Sequence, residues 1–481
     1  MRARAVVHLV GQFVLVLSAT LLIPMLVGLA AGDDLRPCGY GFLAMAACGL
    51  AMRWAGEKPR TELAVREGIL LVVVLWVATA LLGALPFYFT PHFATYADAV
   101  FESASGFTTT GATVLARVEV LPPSVQFWRH FAHWLGGMGV VLLGIAILPL
   151  VGVGGVHLYR AEFSGAKSEK LKPRIAETAM ALWRIYFLMT VVLVVLLKAG
   201  GMNWFDAACH TFSTLGTGGF STRSASVGEF RSPYLEYVIA LFMLLAAMNF
   251  TRHYALLIER RGGRFWRDPE IRAYLMLIGG ATAVCWISLL GRGGVGVEGS
   301  FREALFQVVS ISTTTGFMNA DFEHWPHAAQ VVLFALMFAG GCTGSTAGGI
   351  KMARLLMLFE VIHREFKKMV ERRGVFAIFV GDEAVPEKTV QSFLNLVYLA
   401  LTFHIGASLV VAATGQDLLT SISAVTACMF SVGPGFGAVG PADNYGHMSG
   451  VAKWVLSGAM IAGRLEFYTA LVIFVPAFWR K

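Results

Sequence analysis

Charge is scarce in this sequence. Asp, Glu, Lys and Arg make up 14% of its 481 residues, where about a quarter is usual in soluble domains, and hydrophobic residues make up 56%. A freely soluble fold has too little interior to hide that much apolar surface, so that class is excluded. Thiols are scarce as well. The six cysteines (Cys38, Cys48, Cys209, Cys285, Cys342, Cys428) are scattered, with no CxxC and no histidine at ligand spacing, which argues against a disulfide framework and a zinc site. No GxxxxGK[ST] occurs, and the glycines of GGVGVEG (293–299) lack a strand-turn-helix setting, so no nucleotide site is expected in this chain. An intramembrane enzyme needs a nucleophile with a base or a metal cluster, and Ser345 and His363 have no convincing partners in sequence.

What the chain does have is length of apolar run. Such segments lie near 6–31, 39–53, 68–89, 123–151, 178–200, 233–257, 273–291, 328–358, 390–413 and 449–478. The first follows a basic MRAR and is too long for a signal-peptide core, so it reads as a retained span. The net charge of +8 is concentrated in RWAGEKPR (53–60), residues 160–174, 252–268 and 351–373, and the terminal WRK. The intervening connections carry single arginines, such as Arg36, Arg117, Arg223 and Arg292. Under the positive-inside rule this puts both termini in the cytoplasm and requires an even number of crossings; ten spans satisfy it.

Four apolar segments are too short to cross: about 97–106, 204–214, 302–312 and 418–430. Each runs into a Gly-containing polar stretch: FTTTGAT (107–113), TLGTGGFS (214–221), STTTGFM (312–318) and SVGPGFG (431–437). A lone TTTG reads as a packing patch or a turn. Four copies behind half-length helices read as an internal repeat, aligned here on Gly111, Gly218, Gly316 and Gly435. Non-helical backbone at membrane depth is tolerated only where protein buries it or it lines a watery path. Four such stretches meeting on one axis satisfy that rule together and offer an oxygen cage to a desolvated cation. The carbonyl ends of the preceding half-helices add negative potential there.

The ordered motifs TTTGAT, GTGGFST, STTTGF and VGPGFG, with HWLGGMG at 133–139 and the final GRLE, make the chain resemble the TrkH family within the TrkH/TrkG/KtrB/HKT superfamily of cation transporters. The resemblance implies an all-α polytopic membrane protein with about ten transmembrane helices. In it, four helix–pore helix–helix repeats surround one path with pseudo-fourfold symmetry, after an N-terminal two-helix hairpin. The corresponding divisions are 1–60 for the hairpin, then 61–174, 175–265, 266–380 and 381–481 for the repeats. Carried over residue by residue, the potassium filter falls on Thr109, Thr110 and Gly111; on Gly216, Thr217 and Gly218; on Thr314, Thr315 and Gly316; and on Gly433, Pro434 and Gly435. In that alignment Pro434 stands where other repeats have Thr and removes a hydroxyl and an amide, so the cage is expected to be only roughly fourfold.

FAGGCTGSTAGGIKMAR (338–354) interrupts the eighth run with Gly340, Gly341, Gly344, Gly348 and Gly349, enough to unravel a helix. The family has an intramembrane loop beneath the filter here, so residues 340–350 are expected to form a gate. Arg464 and Glu466 are charges within an apolar run, where charges face a cavity or a partner. The resemblance points Arg464 at the path; Lys351 is a further gate candidate, with snorkelling as its alternative. Trp128, His130, His133 and Trp134 read as a packing patch, and Glu102 either tunes potential outside the filter or holds its helix. Asn249, Arg252 and His253 read as interfacial anchors at a span's end.

The expected function is potassium uptake across a bacterial inner membrane, with potassium transported and no organic cofactor held. The alternative is a secondary transporter coupling potassium to protons or sodium; the four filter stretches lack Asp, Glu and His, which counts against it. The resemblance further implies a homodimer on a cytosolic nucleotide-binding ring of TrkA type. Basic segments facing membrane lipid are the simpler use of the surplus charge, and nucleic acid is not expected as a partner.

Overall fold

The computed structural model describes residues 2–59, 63–139, 175–258, 262–291, 296–380 and 383–480. The basic segment 160–174, Arg292 and the apolar run beyond Gly139 lie outside the described residues.

Two helices, α1 (Ala3–Thr20) and α2 (Leu22–Ala31), make an apolar rod, and α3 (Arg36–Ala55) returns alongside it. The short run expected at 39–53 is thus a 20-residue helix, about 30 Å long at 1.5 Å per residue. Glycine brings the pair together: a methyl group on Gly11 would lie 2.7 Å from the Gly49 carbonyl oxygen, so the two backbones touch.

Four units follow, each with an outer helix, a short buried helix and a second long segment. Unit one has α4 (Val65–Gly83), α5 (Tyr96–Phe107) and α6 (Pro123–Trp134), the last widening into a π-helical turn over Leu135–Gly139. Unit two has α7 (Ile175–Ala199), α8 (Trp204–Leu215), α9 (Pro233–Ala246) and α10 (Phe250–Leu257). Unit three has α11 (Pro269–Leu289), α12 (Val297–Ser312), α13 (His327–Leu336) and α14 (Met352–Val370). An antiparallel hairpin of β1 (Ile378–Val380) and β2 (Glu383–Val385) leads to unit four, with α15 (Glu387–Ala413), α16 (Leu418–Met429), α17 (Gly450–Arg464) and α18 (Tyr468–Leu471).

Among the described residues five helical segments are long and apolar enough to cross a bilayer, and seven when two bent pairs count as one span each. Those pairs correct the expectation of continuous spans at 233–257 and 449–478. The α9–α10 pair bends by 102° and the chain after α17 by 119°. At the first bend Asn249 starts a new helix, its Oδ1 accepting from the Thr251 amide at 2.8 Å, so it is a cap more than an interfacial anchor. At the second, Glu466 and Phe467 take left-handed backbone (φ 56° and 54°).

Sequence sets both ends of the short helices. Thr95 and Asp98 cap α5 reciprocally, Asn203 accepts from the Asp206 amide at 2.7 Å, and Asp417 from the Thr420 amide at 2.9 Å. Each cap precedes its helix's final cap by the same stretch of chain (Thr95 to Thr108, Asn203 to Gly216, Asp417 to Phe430). These helices are almost wholly buried, whereas α15 turns Tyr398, Leu401, Ile405 and Leu409 outward as an apolar face. The short helices therefore sit inside a sheath of long ones, and all four end near one place.

Candidate functional site: a four-part ring above a loop

The chain leaves the four buried helices in one repeated way. The amides of Thr110, Gly218, Thr315 and Val432 donate to the carbonyls of Ser105, Ser213, Ser310 and Ala427, each at 2.8 Å. The residue before each of these is left-handed: Thr109 (φ 56°), Thr217 (54°), Thr314 (56°) and Ser431 (58°). The residue after each is a left-handed glycine: Gly111 (82°), Gly219 (74°), Gly316 (80°) and Gly433 (94°). Non-glycine residues resist this conformation by about 1–2 kcal/mol, so four in register mark backbone held for a purpose.

This geometry corrects the alignment by glycine. The counterparts of Gly111 and Gly316 are Gly219 and Gly433, not Gly218 and Gly435. Gly218 occupies the place of Thr110 and Thr315, as does Val432. Pro434 lies one residue beyond the repeated triplet, level with Ala112, Phe220 and Phe317, and replaces no threonine. A hydroxyl is present in all four units at the first left-handed position; the departure from fourfold symmetry falls one residue later, at Gly218 and Val432. The alignment slipped because GTGG and VGPG each offer two glycines to match, and composition cannot say which one has positive φ.

The four triplets touch in a closed cycle. A methyl group on Gly111 would run into the carbonyl oxygen of Gly218, one on Gly219 into that of Thr315, and one on Gly316 into that of Val432. One on Gly433 would lie 2.6 Å from that of Thr110, which closes the circuit. Each unit's glycine thus packs on the next unit's carbonyl, and only glycine fits. In each triplet a residue without positive φ separates two that have it, and backbone of this kind can replace an ion's water with peptide oxygens.

The walls are tied to the ring by polar groups, at matching positions in the first three units. Glu102 accepts from the Thr113 hydroxyl at 2.9 Å and the Val114 amide at 3.0 Å, His210 Nε2 pairs with the Ser221 hydroxyl at 2.9 Å, and Gln307 donates to the Ala320 carbonyl at 3.0 Å. In unit four the Phe436 amide donates to the Ser423 hydroxyl. Glu323, on the turn between α12 and α13 of unit three, accepts from the Gly437 amide of unit four at 2.6 Å. Burial there, with Asp321 and Asp443 nearby, raises its carboxyl above the usual range.

Glu102 therefore has a structural job. Its carboxylate pairs with Arg129 at 2.6 Å, both fully buried, and Arg129 also donates to the Ser221 carbonyl at 3.1 Å. His130 and His133 share the Ser213 hydroxyl at 2.8 and 3.1 Å, and the His133 ring stacks on Phe220 at 4.1 Å. Trp128 donates to the Gly83 carbonyl at 3.0 Å, and Trp134 donates to the Thr190 hydroxyl at 3.0 Å. This packing patch is the joint between units one and two, set directly against the ring. Replacing Arg129 with methionine strands a buried carboxylate, and the expected cost is about 3–5 kcal/mol. Thermal unfolding in detergent would show it as a lowered midpoint, with E102Q/R129M recovering part of the loss.

Beneath the ring, the second segments of units two, three and four break, and that of unit one widens into its π-helical turn. In unit three the break is a loop between α13 and α14, closed at its neck by the Gly340 amide on the Ile350 carbonyl (2.8 Å) and the Ile350 amide on the Phe338 carbonyl (3.1 Å). The Gly348 amide donates to the Thr314 hydroxyl at 2.7 Å, so the loop touches the ring itself. Gly341 lies so close to Ala247 that a methyl would sit 2.5 Å from its carbonyl oxygen, and the Cys342 amide donates to that oxygen at 2.8 Å. Gly344 presents its carbonyl to the Phe250 amide at 3.1 Å, and Gly349 is left-handed at φ 68°.

Arg464 joins the breaks. It donates to the loop carbonyl of Thr346 at 2.9 Å and to the unit-one carbonyls of Gly136 and Gly137 at 3.0 and 3.1 Å. Its sequence neighbour Glu466 pairs instead with Arg354, at 2.6 Å. Lys351 turns back to the Ala347 carbonyl within the loop, where snorkelling would have sent it to the surface. Ser345 is bonded to the Cys342 carbonyl at 2.6 Å.

Similarity to known proteins agrees with this architecture. The family model described as TrkH, cation transport protein, matches residues 40–481. The chain is 42% identical over the full length of both chains to the Trk system potassium uptake protein TrkH of Salmonella typhimurium and to that of Escherichia coli K12. It is 35% identical to the Trk system potassium uptake protein TrkG of Escherichia coli K12, over 99% of each chain. Among solved structures, the crystal structure of the potassium transporter TrkH from Vibrio parahaemolyticus superposes with a TM-score of 0.89, 38% identity and complete coverage of both chains. The chain is a multi-pass membrane protein and belongs to the TrkH family of cation transport proteins, not to a family of enzymes.

Proposed function

We propose that this protein carries potassium into a bacterial cell through the ring, with the loop beneath it as the gate. The observation that carries the reading is the closed cycle of glycine-on-carbonyl contacts among four distant segments. A cage of peptide oxygens suits a weakly hydrated alkali cation, and no acidic side chain in the triplets favours a harder ion. The proposed filter residues are Thr109 to Gly111, Thr217 to Gly219, Thr314 to Gly316, and Ser431 to Gly433. An inside-negative membrane potential contributes about 2.3 kcal/mol per charge per 100 mV, enough to drive uptake without ATP at this subunit.

The orientation follows from charge, with both termini and the basic segments in the cytoplasm. The reading extends to a homodimer on a TrkA-type nucleotide-binding ring. It is supported by helix α14, which leaves the loop directly and exposes Phe359, Phe366 and Met369 beside Lys367 and Lys368. A ring pulling on α14 would act on the gate in one step.

The test is uptake of rubidium or potassium into liposomes holding the purified protein, set against sodium under the same gradient. Selective uptake of the larger ions is expected; equal sodium flux would defeat the selectivity claim. An imposed pH gradient is expected to drive no uphill potassium movement.

A further inference from the structure

Loops that must open and close need something that holds them shut, and the glycines of 340–349 supply only backbone contacts, such as those at Gly340, Gly344 and Gly348. One carboxylate outside the loop holds both of its ends. Glu270 stands in the first turn of α11, is buried, and aims Oε1 at the loop's base. That one oxygen accepts from the Thr343 amide at 2.6 Å and the Thr343 hydroxyl at 3.0 Å, on the way into the loop. It also accepts from the Ala353 amide at 3.0 Å, on the way out.

The second contact completes a helix. α14 begins without a side-chain cap of its own, since Lys351 at the capping position makes no such bond. The carboxylate of Glu270 serves as that cap from another helix, its oxygen accepting from the Ala353 amide that the helix itself leaves unpaired. Letting go of Glu270 therefore frees the loop entrance and frays the first turn of α14 together.

Glu270 is itself held from the neighbouring unit. Asp268 caps α11, accepting from the Glu270 amide at 2.9 Å and the Ile271 amide at 3.2 Å, while its other oxygen pairs with Arg252 of α10 at 2.7 Å. The same helix α10 presents its Phe250 amide to the Gly344 carbonyl. Units two and three thus meet at a corner whose last member reaches into the loop.

We propose that Glu270 is a positioning residue that clasps both ends of the loop and keeps it closed. This rests on the reading of the loop as the gate. What matters is an acceptor at the reach of a glutamate side chain, more than its charge.

Rubidium uptake into liposomes without any partner protein tests it, comparing wild type, E270A, E270D, E270Q and a variant lacking Gly340–Gly349. E270A loses the acceptor and E270D falls short of the loop by one methylene, so both are expected to raise uptake about tenfold, the factor for 1.4 kcal/mol. E270Q keeps an oxygen at the same reach and is expected to stay within about twofold of wild type. The preference for rubidium over sodium is expected to be unchanged in all three, since the ring is untouched. Leak in the deletion variant with tight closure in E270A and E270D would overturn the clasp and leave the gate reading standing. A leaky E270Q beside a tight E270D would also overturn it, by making charge the determinant. Wild-type uptake in the deletion variant would instead overturn the gate. Should E270A fail to fold, the ordering of E270D and E270Q decides.

Discussion

Alanine at Gly433 is expected to abolish potassium flux, whereas alanine at Gly435 leaves most of it. Gly433 has φ 94° and faces the Thr110 carbonyl, where a methyl would lie 2.6 Å from the oxygen. A side chain there meets two costs together: about 1–2 kcal/mol of left-handed strain and a collision with backbone that cannot rotate away. Relief requires moving one of the carbonyls proposed to hold the ion, and a displacement of a few tenths of an ångström spoils a cage made of fixed oxygens. Gly435 is not left-handed, and its methyl would meet the Ser423 side chain first. The same contrast is expected in unit two, where alanine at Gly219 strikes the Thr315 carbonyl. Rubidium uptake, normalised to folded protein by thermal midpoint, measures both. A fully active G433A or G219A would remove these residues from the filter.

Arg464→Ala is expected to raise partner-free uptake by more than about tenfold. The guanidinium spans from the Thr346 carbonyl of the loop to those of Gly136 and Gly137 in unit one, and charged hydrogen bonds contribute about 1.5–3 kcal/mol each. Its loss unties the loop from the opposite side of the site and also removes a positive charge from beneath a ring proposed to conduct cations. R464K separates the two effects. Lysine keeps the charge but lacks the planar fork that reaches three carbonyls, so intermediate uptake is expected if tethering and repulsion both matter. Wild-type uptake in R464A would show that neither does.

Much of this site was legible because its elements are local. A half-length apolar helix ended by glycine and threonine can be read wherever it occurs, and four of them in order announce one another. The loop at 340–349 was legible for the same reason, through glycine density. The misreadings were of two kinds. Gly219 was missed, and Gly433 was set at the head of its triplet instead of the end, because φ is decided by neighbouring backbone, and GTGG and VGPG each admit two registers. The bends after Ala246 and Arg464 were missed because hydropathy averages over a window, and neither stretch loses its apolar character where its direction changes. Asn249, followed by FTRHY, was the available sign of a helix restart, since asparagine favours the capping position. Glu270 carried no such sign: its partners, Thr343 and Ala353, lie far along the chain.

Periodicity and composition determined by themselves that the chain crosses a membrane, repeats four times and has a Gly-containing polar stretch after each short helix. Those properties reside in short stretches whose backbone must satisfy its own hydrogen bonds in an apolar surround. Which glycine meets which carbonyl, which acid clasps the loop and where Arg464 reaches were decided only by the tertiary structure. Each is a contact between residues remote in sequence, and its energy depends on distances that no local pattern encodes.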